Sequence, residues 1–81
     1  MRIKTVDLIP LSELKVGQIA SIRSVGRGNS TMERLRDLGL VPGEQVSILR
    51  KAPFGDPIEV RIMNYDLCIR LKEASEIFVQ P

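Results

Sequence analysis

Arg34-Leu35-Arg36-Asp37-Leu38-Gly39-Leu40-Val41-Pro42-Gly43, followed by Ala52-Pro53-Phe54-Gly55-Asp56-Pro57-Ile58, decides how this 81-residue chain folds. Neither stretch offers a nucleophile, a histidine base or a soft metal ligand. What they specify is backbone geometry. Gly39 suits the left-handed position just past a helix end, where a side chain would clash with the backbone. Leu40 can then fold back on the last turn. Pro42-Gly43 fits the centre of a type II turn, proline presetting the first φ and glycine supplying the positive φ of the second. Gly55-Asp56-Pro57 shapes a second loop, in which Asp56 is expected to hydrogen-bond its own backbone as an Asx-type cap.

Upstream of Gly39 the pattern is helical. Ser30 can cap a helix, with Glu33 three residues later completing a capping box. Met32, Leu35 and Leu38 recur at i, i+3 and i+6 as the expected buried stripe. Glu33–Arg36 and Arg34–Asp37 have the i, i+3 spacing of helical ion pairs. Gly26-Arg27-Gly28-Asn29 breaks the chain before this helix. It lacks the third glycine of a dinucleotide turn and the GK[ST] of a Walker loop, so it reads as an ordinary loop.

The remaining segments alternate as strands. Residues 18–25 carry Ile19, Ala20 and Ile22 in loose alternation with Ser21, Arg23 and Ser24. Residues 45–51 place Val46 and Ile48 on one face. Ile58, Val60 and Ile62 alternate with Glu59, Arg61 and Met63. A hairpin turn at Asn64-Tyr65 leads to Leu67, Ile69 and Leu71, alternating with Cys68, Arg70 and Lys72. A charged turn over residues 72–76 precedes Ile77-Phe78-Val79. Near the start, Leu11 and Leu14 read as one helical turn ended by Gly17. The expectation is a mainly β fold: a small, partly open barrel of about five strands, with a short helix after the first strand and a helical turn near the N-terminus. A single domain is expected over residues 1–81, a size that buries about 60–65% of its unfolded surface.

Composition narrows the chemistry. There is no His, one Cys, no Trp, one Tyr and two Phe, so the core must be aliphatic. Twelve basic against ten acidic residues leave a net charge of +2, too balanced for an electrostatic footprint on nucleic acid. Arg34, Arg36, Arg50, Lys51, Arg61 and Arg70 are interleaved with Glu33, Asp37, Glu59 and Asp66, and three scattered rings make a poor stacking platform. Cys68 is either a small packing residue or a free surface thiol. Without a histidine to depress its pKa it is a weak nucleophile. Asp56 has no neighbouring second carboxylate for acid–base work. No enzyme is indicated, and no cofactor. No run approaches the roughly 20 apolar residues of a membrane helix, and the N-terminus lacks a signal-peptide core, so the chain reads as cytoplasmic and not membrane-inserted. Unpaired barrel edges make self-association an expectation.

Assembled, these residues resemble the ferrous-iron transport protein A (FeoA) family of small cytoplasmic proteins with an SH3-like barrel. The resemblance runs from Leu11-Ser12-Glu13-Leu14-Lys15-Val16-Gly17 to Ile77-Phe78-Val79. It is strongest over the two opening stretches and continues in Leu67-Cys68-Ile69-Arg70-Leu71 with Glu73-Ala74. Two positions depart from the pattern: Phe54 where Leu is common, and Asn64 where Gly often precedes the tyrosine. The family is described as transition-metal-ion binding, yet a chain without His and with one Cys is poorly equipped to carry Fe²⁺ itself. The resemblance implies an accessory or regulatory module docking on the cytosolic part of FeoB, the membrane ferrous-iron transporter with a G-protein domain. Two other readings use the same fold: a detached regulatory module of a metal-dependent repressor, and a nucleic-acid-binding small barrel. Candidate partner contacts are Arg34, Arg36, Pro53, Phe54 and Tyr65. Phe54 is either a plug under its loop or an exposed contact.

Overall fold

In the computed structural model, which describes residues 7–81, the decisive stretch forms helix α1 (Ser30–Asp37) and the turn that follows it. The helix starts one residue earlier than the Ser30/Glu33 pattern predicts. Asn29 is extended (φ −143°, ψ 159°) and its Oδ1 accepts the Met32 N–H at 2.8 Å. Asn caps as well as Ser. With Asn29 as the cap, Glu33 lies one position beyond the reach of a capping box. Met32 and Leu35 are buried, but Leu38, the last residue of the stripe, is 40% exposed. Leu38 is the C-cap, and the chain reverses at Gly39, where φ is +115°. The Gly39 N–H then donates to Arg36 O at 3.0 Å and the Leu40 N–H to Leu35 O at 3.1 Å. This paired closure is the Schellman motif. It drives Leu40, fully buried, into the place the stripe assigned to Leu38. The expected turn follows, with Gly43 at φ +98° and the Glu44 N–H donating to Val41 O at 3.2 Å.

Among the described residues six strands build one antiparallel sheet: β1 (Ile9–Pro10), β2 (Ile19–Val25), β3 (Gln45–Lys51), β4 (Ile58–Ile62), β5 (Tyr65–Ile69) and β6 (Ile77–Gln80), in the order β1-β6-β2-β3-β4-β5. The count exceeds the expected five because Ile9–Pro10 pairs with Phe78 and Val79 of β6. Two residues ending in proline carry no strand pattern of their own. A 3₁₀ turn over Leu11–Glu13 supplies the expected helical turn. Register shifts between Ile22 and Ser24 in β2, and between Ile48 and Arg50 in β3, bend the sheet around its core. The first explains why Ala20 and Ile22 point inward together with Val25, while Ile19 is 61% exposed.

The β4–β5 hairpin turns one residue before the expected Asn64-Tyr65. Ile62 pairs with Tyr65, leaving Met63-Asn64 as the loop, and Met63 takes the positive φ of +54°. Strand β5 also stops early. Instead of Leu71 continuing the alternation, a one-turn helix α2 (Leu71–Ala74) occupies the expected charged turn. Two carboxylates set its start: Glu73 Oε1 accepts the Arg70 N–H at 3.0 Å, and Asp56 Oδ1 accepts the Leu71 N–H at 3.1 Å. Asp56 therefore caps a distant helix and not its own loop. Asp56→Ala should lower stability by about 1 kcal/mol, and Asp56→Asn, which keeps the acceptor, by much less. Urea titration of the two variants measures the difference.

The core is aliphatic, as composition requires. Leu11, Leu14, Ile22, Leu40, Ile58 and Ile77 are among its fully buried members, with Met32 beneath α1. No aromatic ring joins it. Phe54, Tyr65 and Phe78 all remain at the surface.

Candidate docking surface

The five residues expected to meet a partner fall on three elements: the β3–β4 loop, the start of β5 and helix α1. Pro53 and Phe54 lie on the β3–β4 loop, and Phe54 is 97% exposed. The plug reading of Phe54 is thereby excluded. The loop is closed by its own backbone: the Ala52 N–H donates to Pro57 O at 3.0 Å and the Gly55 N–H to Ala52 O at 2.7 Å. Gly55 has φ +83°, and the Asp56–Pro57 peptide is cis. An internally bonded loop holds the Phe54 ring in water without support from the core. Under it, Arg50, Lys51, Pro53, Pro57 and Cys68 line a shallow hollow of about 260 Å³.

Tyr65 sits at the other end of β4, about 13 Å of extended strand away. Its hydroxyl lies against the helix terminus, so that a Cβ on Gly39 would be 3.1 Å from the phenol oxygen and 3.5 Å from Met63 Cε. Met63 and Tyr65 thus form a partly exposed apolar patch beside the Schellman turn. Met63 and Ile19 also line an open groove of about 360 Å³ with Gln45, Ser47 and Arg61. The sequence pattern does not mark Met63 and Ile19 as surface candidates. The β4 alternation already placed Met63 on the outer face with Glu59 and Arg61, but nothing in that pattern shows a methionine in the left-handed region beside a tyrosine.

Arg34 is exposed on α1, whereas Arg36 is half-buried. The Arg36 guanidinium donates to the Gly26 carbonyl and ties the preceding loop to the helix. The helical pairs Glu33–Arg36 and Arg34–Asp37 do not form; among the described residues the ion pairs are Arg50–Glu59 and Arg61–Asp66. The Arg61 fork reaches both oxygens of Asp66, at 2.7 and 3.2 Å. These hydrogen bonds hold the Asp66 carboxyl below its ordinary pKa and raise that of Arg61. Lys51 Nζ donates to Ser12 O at 3.2 Å. Most of the candidate basic face is therefore spent on internal partners. Cys68 is a free, exposed thiol. Among the described residues no three His, Cys, Asp or Glu side chains gather to hold a metal ion, and no helix is long and apolar enough to cross a membrane.

The FeoA domain model matches residues 9–81. The chain belongs to the FeoA family. The resemblance carried by residues 34–43 and 52–58 is thus borne out, and the sheet is the SH3-like barrel of that family. The solution structure of the FeoA protein from Chlorobium tepidum is 46% identical, covers 89% of this chain and 69% of that one, and superposes with a TM-score of 0.83. A curated relative, the Fe(2+) transport protein A/Fe(2+) transporter FeoB fusion protein of Porphyromonas gingivalis, is 37% identical over 71 residues. That match takes in 86% of this chain but only 8% of the fusion. A manganese-dependent transcriptional repressor has the same fold at 18% identity, with a TM-score of 0.82 over 98% of this chain and 44% of its own. FeoA-family domains are non-catalytic accessory domains.

Proposed function

We propose that this FeoA-family chain is a cytoplasmic accessory module of ferrous-iron transport that docks on the cytosolic part of a FeoB-type transporter. The observation that carries the reading is the Porphyromonas gingivalis relative, whose name joins the two proteins in one chain. The surface has suitable chemistry at two points: the Phe54 tip and the patch of Met63 and Tyr65. Aromatic side chains at such points carry a large share of binding energy where a partner pocket desolvates them. Docking would shift the transporter's nucleotide state only as far as the module binds one state better than the other.

The test is a titration against the matching FeoB cytosolic domain, without nucleotide and with GDP or a non-hydrolysable GTP analogue. Binding that differs between the states is expected. Phe54→Ala should weaken it about tenfold or more. Because the ring touches no core, the same change should leave the unfolding free energy within about 0.5 kcal/mol. Absence of binding to every state, and to the full-length transporter in membranes, overturns the docking reading. Normal binding by Phe54→Ala removes the loop from it.

A further inference from the structure

We propose that β5 is the contact strand of a weak, two-fold symmetric homodimer, in which two copies pair antiparallel about Cys68 and Asp66 of each faces Arg70 of the other. This contact does not rest on the transporter reading, and of the residues invoked there only Tyr65 belongs to the same strand. It begins from the sheet order, which among the described residues ends at β1 on one side and β5 on the other. Edge strands expose unpaired backbone donors and acceptors, and proteins usually blunt them with proline, lysine, bulges or brevity. Strand β1 is blunted in this way, with two residues, one of them Pro10, which has no N–H. Strand β5 is not. It runs five residues, Tyr-Asp-Leu-Cys-Ile, without proline, glycine or lysine, and pairs with β4 without a register shift. Since β1 offers no ladder, a second β5 is the partner that closes the contact, and a two-fold axis closes it without leading to fibres.

The hairpin fixes which backbone groups face outward. Ile62 and Tyr65 flank a two-residue turn, so they form its last doubly hydrogen-bonded pair. Alternation then commits Tyr65, Leu67 and Ile69 to β4 and turns the N–H and C=O of Asp66 and Cys68 outward. A symmetric antiparallel pair must be centred on one residue. Centred on Asp66, it sets two carboxylates against each other. Centred on Leu67, it sets Asp66 opposite a thiol. Centred on Cys68, it gives one central pair of backbone hydrogen bonds, sets Leu67 opposite Ile69 of the second copy, and places both Asp66 carboxylates opposite Arg70, which joins through its side chain alone because its N–H donates to Glu73 Oε1 and its carbonyl accepts from the Ala74 N–H. Asp66 and Cys68 are exposed and share one face of β5, and Arg70 is exposed just past the strand, where the backbone is still extended (φ −74°, ψ 149°). Asp66 keeps its fork from Arg61 and still has lone pairs for a second cation. Arg70 makes no ion pair within its own chain among the described residues. The contact is one short strand on each side, well below the area of a standard interface, so the dimer is a transient one.

Sedimentation equilibrium under reducing conditions, up to about 1 mM protein, tests it through charge reversal. The wild-type weight-average mass should rise with concentration. Asp66→Arg alone sets Arg against Arg70, and Arg70→Asp alone sets Asp against Asp66, so each should weaken association at least tenfold. An equimolar mixture of the two variants should recover it, because each copy then opposes the other's charges. Both substitutions are compatible with the fold: Asp66→Arg gives up an exposed ion pair and faces Arg61 across the strand where both side chains can turn into solvent, and Asp is a preferred residue at the cap position that Arg70 occupies before α2. Circular dichroism confirms that each variant is folded. A wild-type chain that stays at monomer mass overturns the proposal. So does a single variant that associates normally, or a mixture that does not recover.

Discussion

Leu40→Ala is expected to lower the unfolding free energy by about 3 kcal/mol, the usual range for a buried leucine being roughly 2–5. Leu40 is fully buried and its N–H is bonded to Leu35 O, so the chain cannot shift to refill the space. A domain of this size has on the order of 5–10 kcal/mol in all. The loss would therefore drop the melting temperature by roughly 15–20 °C. Leu38→Ala provides the contrast. Leu38 is 40% exposed, and its truncation should cost about 1 kcal/mol or less. Helical periodicity alone ranks Leu38 as core and leaves Leu40 outside the helix, so the two urea curves separate the periodic reading from the observed packing. Leu40→Met, which nearly conserves volume, should cost less than about 1.5 kcal/mol. Equal losses at positions 38 and 40 would contradict the packing described above.

The alternating segments were legible in the sequence because a half-buried strand has a period of two and little else to obey. Val46 and Ile48, and Ile58, Val60 and Ile62, are buried as their spacing requires. Legibility failed where a feature depends on a distant partner. The register shift in β2 belongs to its pairing with β6, and no local pattern announces it. Strand β1 exists only because β6 lies beside it. Helix α2 replaces a continued β5 because the carboxylate of Asp56, fifteen residues earlier, bonds the Leu71 N–H. At the surface, Phe54 could be read as plug or contact with equal right, since a proline-framed loop tolerates either. Its exposure is a fact of tertiary structure. The patch beside the helix terminus shows the same limit: Gly39 was assigned from helix chemistry and Tyr65 from a turn pattern, and neither pattern places the phenol against the glycine.

That contact makes Gly39→Val the second large effect, a loss of about 3 kcal/mol or more, with Gly39→Ala costing about 2. Two causes act together. At φ +115° the backbone lies beyond the left-handed region that non-glycine residues tolerate, so any Cβ strains it. The Cβ would also stand 3.1 Å from the Tyr65 hydroxyl oxygen, closer than packed atoms prefer, and 3.5 Å from Met63 Cε, an ordinary contact. The second cause is the smaller one. Tyr65 and Met63 are partly exposed, and surface side chains can swing aside, whereas the backbone cannot change φ without breaking the Leu40–Leu35 hydrogen bond. Adding Tyr65→Phe to Gly39→Ala removes the oxygen but leaves the φ, and should recover only a few tenths of a kcal/mol. Urea titrations of the two single variants and the double variant give that coupling directly, and full recovery would show steric overlap to dominate. If the Met63–Tyr65 patch meets the transporter, Gly39→Ala should also weaken docking at temperatures where the variant is still folded, because the displaced ring no longer presents the same surface.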